Sequence, residues 1–346
     1  MSYNFFFVFN KSNKYLLIQT ASIGDVVLIS PVIESIHNYE PQSDICILTN
    51  TRGAELFHKH PFIKDVFVWN KKKNKYKNLL KIIKDLRKYK FKAVINFQRH
   101  LSTALIMGSM HSDKKITFKQ STFSWLFANE RFEHEWNKKH EVDRNLTLIR
   151  NIVPEEYQVR KPKLYIPDDI HVDLPPSPYV CLSPYSLWYT KQMVVWRWID
   201  LCENLIKLGY NVAILGGNED VKKNNLFFKK FKINDHLYDF VGKLSLLETL
   251  YVISNAIITY SNDSAITHLA SSVNAPIATI FCSTVPSFGF TPLSDNSFII
   301  EPNIEILCRP CGMHGHQKCP KDLFICGNSF IIEQLLEPLK KLSLHE

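Results

Sequence analysis

"YLLIQTASIGDVVLISPVIESIHNY", residues 15–39, sets an apolar run of strand length before a longer segment of helical period, with a short polar turn between them. The same alternation recurs down the chain. "DICILT" precedes "GAELFHKH", "DVFVW" precedes "YKNLLKIIKDLRKY", and "KAVINF" precedes "STALIMGSM". Short buried strands separated by helices predict a mainly parallel sheet covered on both faces, so the first half reads as one α/β domain.

A second series follows the proline-rich stretch "IPDDIHVDLPPSPY", residues 166–179: "YVCLSP", "RWIDLCENLIKLG", "NVAILGG", "LLETLYVISNA", "AIITYS", "AITHLASSV" and "APIATIFC". Pro175, Pro176 and Pro178 cannot continue a helix or a central strand, which makes this stretch the expected linker. The chain of 346 residues has room for two such domains. The expected division is a first domain over 1–167, a linker over 168–178, a second domain over 179–328 and a terminal helix over 329–346. Ligands of doubly wound domains bind beyond the carboxyl ends of the strands, so the site is expected in a cleft between the two.

With 45% apolar, 12% aromatic and 22% charged residues, the composition is that of a globular protein rather than a disordered or fibrous one. No run approaches the length of a membrane span, and "MSYNFFFVFNKSNKYLL" lacks the basic start of a signal peptide, so a cytoplasmic location is expected. The net charge of +9 favours an acidic partner: nucleic acid, anionic lipid or a phosphorylated substrate. Cys46, Cys181, Cys202 and Cys282 lie in apolar segments, as buried thiols do.

The strongest chemical signal is "ITYSNDSAITHLASSVNAPIATIFCST", residues 258–284. A strand ends near Tyr260, Ser261 to Ser264 turn the chain, and a helix begins around Ala265. Free N–H groups and the positive dipole end at that point suit a phosphate. His268, four residues after Ser264, returns to the same face. Asp263 as a plain helix cap and His268 as a packed core residue are the competing readings.

"SPYSLWYTKQMVVWRWIDL", residues 183–201, is a hydroxyl-rich loop with Lys191 at the mouth of a strand. Lys191, Ser183, Ser186 and Thr190 suit a diphosphate, and a solvated loop is the alternative. "LGGNED", residues 215–220, offers Glu219 to ribose hydroxyls. No G-x-G-x-x-G and no Walker sequence occurs. The lysine-rich segment over 70–92 has Leu79, Ile82, Ile83 and Leu86 at helical spacing, as in an ordinary surface helix or one that docks on an anionic membrane. Near the end, "CRPCGMHGHQKCPKDLFIC" holds Cys308, Cys311, Cys319 and Cys326, with His314 and His316 between them. Four thiolates beginning with C-x-x-C can close a structural zinc site, and an uncoordinated cluster is the alternative.

In this order, "SIGDVVLISPVI", "KAVINFQRHLSTALI", "TKQMVVWRW", "NVAILGGNED", "FVGKLSLLETLYVISNA", "SNDSAITHLAS" and "CRPCGMHGHQKCP" resemble the glycosyltransferase family 9 heptosyltransferases over nearly the whole chain. Those enzymes transfer heptose from an ADP-sugar to the inner core of lipopolysaccharide. The resemblance implies the GT-B architecture, two facing Rossmann-like domains, with "SFIIEQLLEPLKKL" crossing back to the first.

It also implies roles. Asp25 in "GDVV" would be the general base; Thr190 and Lys191 would hold the donor phosphates; Glu219 would face the ribose. Asp263, Ser264, Ala265 and His268 would hold the sugar and diphosphate. Many members have glycine where this chain has Ala265, which keeps the N–H but tightens close approach. The expected acceptor is an anionic lipid-linked saccharide at the inner leaflet, with Arg99, His100 and Arg144 as its contacts. No D-x-D stands at a strand end, so no divalent cation is expected in catalysis. A GT-B enzyme using another nucleotide sugar and a zinc-containing nucleic-acid binder are the rival readings. For the family member, no nucleic acid partner is expected.

Overall fold

The computed structural model describes residues 13–71, 74–228 and 235–344. The amino-terminal segment just read as no leader lies outside them, apart from its last few residues; so do Lys72 and Lys73 of the basic stretch.

Twelve strands form two six-stranded sheets among the described residues. The first contains β1 (Lys14–Ile18), β2 (Asp44–Thr49), β3 (Ile63–Val68), β4 (Lys90–Asn96), β5 (His111–Phe118) and β6 (Glu130–Phe132), in the order β3-β2-β1-β4-β5-β6. The second contains β7 (Tyr179–Ser183), β8 (Asn211–Ile214), β9 (Leu237–Asp239), β10 (Thr259–Asn262), β11 (Ile277–Ile280) and β12 (Ser297–Ile300), in the order β12-β11-β10-β7-β8-β9. Every pairing is parallel. Counted from each domain's first strand, both orders read 3-2-1-4-5-6, the Rossmann arrangement expected from the alternating runs.

This order fixes where ligands go. The chain moves outward from β1 through β2 and β3, then returns to place β4 on the other side of β1. Loops leaving β1 and β4 therefore diverge and open a crevice at the carboxyl end, and those leaving β7 and β10 do the same.

The strands alternate by two. Leu16, Ile18, Cys46, Leu48 and Val94 pack on one face of the first sheet, and Tyr15, Leu17, Ile45, Ile47 and Ile95 on the other. That second face belongs to an apolar cluster that continues through the helices Ile23–Val27 and Ser30–Tyr39. It runs on through Leu269 and Ala270 to Cys181, Ala213 and Ile277 of the second sheet. The domains thus share one buried seam.

The terminal helix Ile332–Ser343 departs from expectation. Leu335 and Leu339 pack with Trp198, Leu201 and Tyr260, so the helix covers the second domain's own sheet instead of crossing to the first. That face would otherwise expose its apolar side chains. The crossing role falls to the irregular stretch before β7. There Val159 N–H donates to Ser35 Oγ and Lys163 N–H to Ser30 Oγ in the first domain, while Leu164 N–H donates to the Ser272 carbonyl in the second.

Candidate active site

Asp25 is the third residue of the helix Ile23–Val27, which leaves β1 after the turn Gln19–Ser22. Ser22 and Asp25 form a reciprocal cap. Ser22 Oγ donates to Asp25 Oδ2 at 2.6 Å, Ser22 N–H donates to the same oxygen, and the Asp25 N–H returns to Ser22 Oγ. Asp25 Oδ1 makes no hydrogen bond among the described residues and remains able to take a proton. Burial raises the Asp25 pKa; the Ser22 bonds and His314 oppose that rise, and the carboxylate of Glu141 adds to it.

The opposite wall is the helix Ala265–Ser272, which follows β10. Ser264 at its N-cap has extended backbone, but its hydroxyl faces Ser261 Oγ at 3.0 Å and makes no capping bond. The first N–H groups therefore have no side-chain acceptor, which suits an anionic ligand.

Asp263 does not cap this helix. Its Oδ2 lies 2.6 Å from Lys191 Nζ and accepts from Thr284 Oγ1 at 2.6 Å. This largely buried pair sets the ammonium beside the helix start.

His268 is buried against Gly24, with its ring edge-on to Phe290 and its Nδ1 without a partner. Burial and the neighbouring His140 lower its pKa to about 3, so the ring is neutral at physiological pH. The helix bearing Asp25 and the helix Ala265–Ser272 thus meet across the seam, and Gly24 provides the contact.

The remaining predicted residues divide. Ser183 ends β7, buried beside Ser261 in register. Ser186 is buried too, and its carbonyl accepts from Gln192 Nε2. Thr190 precedes Lys191 in a short 3-10 turn, but its hydroxyl accepts from His316 N–H at 2.8 Å and Ser283 Oγ at 3.1 Å. It anchors the cysteine-bearing tail behind the lysine. Glu219 stands at the seam's edge in an exposed pair with Arg52 of the first domain, at 2.8 Å.

Arg99 and His100 are exposed where β4 ends, and the Arg99 carbonyl accepts from Thr122. Arg144 corrects the expectation of an acceptor contact. Its side chain is fully buried, Nε donates to Glu141 at 2.7 Å, and Nη2 donates to the Phe288 carbonyl across the domain boundary. The guanidinium lies over the rings of Trp136 and Phe290. Glu141 N–H donates to the Gly289 carbonyl, and the Glu141 carboxylate lies 3.4 Å from His134. Burial alone would raise the Glu141 pKa, but His134 and Arg144 hold it below its ordinary value. Arg144 is an interdomain strut.

Sequence reading missed Glu141, Thr284 and the nearness of His314 to Asp25. Thr284 ends the stretch 258–284 and Glu141 stands three residues before Arg144, yet neither offers a spacing that implies contact with residues more than a hundred positions away or in another loop.

The four C-terminal cysteines line one cavity of about 30 Å³, together with Thr190, Ser283 and Arg309. No three metal-ligating side chains meet in coordinating geometry among the described residues. The donor set nevertheless suits a thiophilic ion. Cys319 Sγ accepts backbone hydrogen bonds from residues 321–324, which lowers its pKa and favours the thiolate. Arg309, inside the motif, donates to the carbonyls of Phe281, Cys282 and Thr284 and pairs with Glu301. The cysteine loop thereby holds the loop that carries Thr284.

Residues 79–316 match the sequence profile of glycosyltransferase family 9 (heptosyltransferase). Lipopolysaccharide heptosyltransferase 1 of Campylobacter coli is 22% identical over 317 residues, covering 82% of this chain and 86% of that protein. Among solved structures, a family 9 glycosyltransferase from Veillonella parvula superposes with a TM-score of 0.81 at 17% identity, over 96% of this chain and 98% of that one. The E. coli ADP-heptose lps heptosyltransferase II superposes with a TM-score of 0.76 at 17% identity, over 96% and 99%. The fold is shared throughout, and the profile spans the greater part of both domains. The chain belongs to glycosyltransferase family 9, the heptosyltransferases.

Proposed function

We propose that this glycosyltransferase moves a heptose from ADP-heptose to the inner core of lipopolysaccharide, with Asp25 as general base. The observation that carries the reading is the meeting of two unlike groups at one seam. A carboxylate with one unbonded oxygen stands on the first domain, and an uncapped helix start with a buried lysine stands on the second. The full name of the E. coli relative supplies the donor class.

In this mechanism the acceptor hydroxyl attacks the anomeric carbon from the side opposite the diphosphate. Asp25 Oδ1 takes the hydroxyl proton as the new C–O bond forms, and the old C–O bond breaks with inversion. The electron pair leaves on ADP. Lys191 and the N–H groups at Ala265 stabilise that charge; Asp263 and Thr284 orient the lysine. Neutral His268 and Ser264 border the sugar, Ser183 and Thr190 support the diphosphate loop, and Glu219 reaches the ribose once released from Arg52. Arg99 and His100 meet the acidic acceptor, an anionic lipid-linked saccharide at the inner membrane leaflet. Among the described residues no helix is long and apolar enough to cross a membrane, so association there would be peripheral.

Cys308, Cys311, Cys319 and Cys326 would hold a structural zinc that stiffens the loop behind Thr190 and Thr284. Tetrahedral thiolate sites accept zinc readily, and such an ion takes no part in the transfer. Metal content of the purified protein and thermal stability after chelation test this without an activity assay. A metal-free protein whose stability ignores added zinc would remove the ion.

The transfer itself is tested with ADP-heptose and lipid A precursors bearing zero or one heptose. Release of ADP with formation of the heptosylated acceptor is expected. Thermal stabilisation should favour ADP over UDP and GDP, because a ligand stabilises only the state it binds. Preference for UDP would replace the donor while leaving the fold and the base.

A further inference from the structure

The first domain carries an apolar face that the transfer reaction does not use. Trp125 is 67% exposed and Leu126 59%, and Phe123 beside them is about half exposed. They sit on the short helix Ser124–Phe127, which follows the carboxyl end of β5. This helix packs on Leu101–Gly108, the helix after β4: Phe127 fills the space over Gly108, and the Thr122 N–H and hydroxyl both donate to the Arg99 carbonyl. Leu101 and Leu105, one turn apart, are also open to solvent. Both helices start at the sheet edge where Asp25 stands, since parallel strands end on the same side.

The helix Lys75–Leu86 flanks this pair. It buries Leu79, Ile82 and Leu86 in the sheet's outer core and turns Lys77, Lys81 and Lys84 outward around the exposed Leu80. Asp85 is the single acid between residues 70 and 92. Exposed aromatic and aliphatic side chains on a helix pair beside a lysine-rich helix fit an interface that is anionic at its surface and apolar just beneath. A duplex would pair with the lysines and leave Trp125 and Leu126 in water, and a second copy would set like charges against each other.

We propose that this face docks on an anionic lipid bilayer, with Phe123, Trp125 and Leu126 entering the headgroup region and Lys77, Lys81 and Lys84 against lipid phosphates. The docked orientation turns the carboxyl edge of the first sheet, with Arg99, His100 and Asp25, toward the membrane plane. A saccharide rising from a lipid anchor would then enter the seam from its acceptor side. The purpose of docking rests on the lipid-linked acceptor of the proposed function; the docking itself requires neither donor nor acceptor.

The full chain is centrifuged with vesicles of phosphatidylethanolamine and phosphatidylglycerol, and with vesicles of phosphatidylcholine alone. Binding to the first set, weakened by salt, is expected, with little binding to the second. Trp125→Ser with Leu126→Ser should weaken binding roughly tenfold through lost apolar burial, and Lys77→Glu with Lys81→Glu at least about tenfold through charge. Both double variants should match the wild type in turnover of a deacylated, soluble acceptor and lose turnover of the same saccharide in vesicles.

Equal binding to both vesicle types, or variants that bind as the wild type does, would overturn the proposal. So would a dimer in sedimentation velocity that Trp125→Ser dissolves, because the face would then belong to a second copy. Anionic-vesicle binding by a protein that turns over no heptose would leave the docking standing and remove the heptosyl reading.

Discussion

A β-carbon added to Gly24 would stand 3.0 Å from Cδ2 of His268 and 3.7 Å from Cα of Ala265. The glycine before the proposed base is therefore required by the packing of one domain on the other, where the helix of Asp25 meets the helix Ala265–Ser272. Gly24→Ala forces the imidazole to shift by a few tenths of an ångström or the helices to part. Alanine favours the helix by about 1 kcal/mol, which offsets part of the clash, so the melting temperature should change little. Catalysis should suffer more. A fall in kcat/KM of roughly tenfold is expected, since misplacement on this scale weakens reacting geometry. Wild-type kinetics in Gly24→Ala would show that the contact does not govern the site.

Asp25→Asn should leave ADP affinity unchanged and lower turnover at least about a hundredfold, the scale of general-base loss. The pH profile offers a second check. Burial raises the Asp25 pKa, so the acid limb of kcat should lie above the ordinary carboxylate value of 3.8. The Ser22 bonds hold that rise down, and Ser22→Ala should move the limb further toward neutrality. Stability follows the opposite sense from an ion-paired acid. A folded pKa above the unfolded one means this group's contribution is present at low pH and lost as pH rises through the folded value. The melting temperature of Asp25→Asn should therefore match the wild type in acid and exceed it at pH 7.

The central strands and the two halves were legible because buried parallel strands leave an apolar signature that needs no context: "YLLI", "DICIL", "YVCLS" and "IATI" all fall in strands. The outer strands were not. β5, one place in from the edge and partly exposed over its first five residues, reads "HSDKKITF"; of the edge strands, β9 has three residues and β12 reads "SFII", because positions far from the sheet centre bury less and tolerate lysine and serine. Among the proposed site residues, those next to strand ends were traceable from local pattern. Arg144 misled because its type suits phosphate or carboxylate recognition, while its partner Phe288 comes from a distant segment; the bonds of Thr190 to His316 and Ser283 lay equally beyond local pattern. The terminal helix misled similarly: an amphipathic stripe states that a face is buried and not which domain buries it.

Lys191→Met tests the charge opposite the base. It leaves Asp263 buried with Thr284 as its hydrogen-bond donor, and breaking such a pair costs about 3 kcal/mol. Stability should drop accordingly, and ADP should no longer protect the protein against heat. The double change Lys191→Met, Asp263→Asn should recover much of the stability and none of the ADP protection. Protection by ADP in either variant would remove Lys191 from the donor site.

His268 carries an acid-sensitive share of stability. Its folded pKa near 3 lies below the ordinary imidazole value of 6.5, so the unfolded chain binds a proton that the folded one refuses. Its contribution is present above pH 6.5 and lost as pH falls through the window down to about 3. His268→Gln should flatten the decline in melting temperature over that window and introduce no new limb in kcat between pH 6 and 8. An unchanged acid slope would mean that other groups, His140 among them, dominate it.

Arg144→Met separates a strut from an acceptor contact. The guanidinium joins Glu141 to the Phe288 carbonyl between the rings of Trp136 and Phe290, with no exposed side-chain surface. Removing it keeps the apolar bulk but strips the buried Glu141 of its nearer cation, at a cost of about 3 kcal/mol. His134 remains 3.4 Å away. A lower melting temperature is expected, along with weaker ADP affinity as the segment around Phe288 and Phe290 loosens beside His268. The acceptor KM of the folded enzyme should stay within about twofold, because lost contact with an anionic group would raise it far more. Arg99→Gln, at the exposed end of β4, should do the reverse: raise the acceptor KM at unchanged stability. If Arg144→Met instead raised the acceptor KM tenfold at an unchanged melting temperature, the arginine would leave its strut in the working enzyme and meet the saccharide directly.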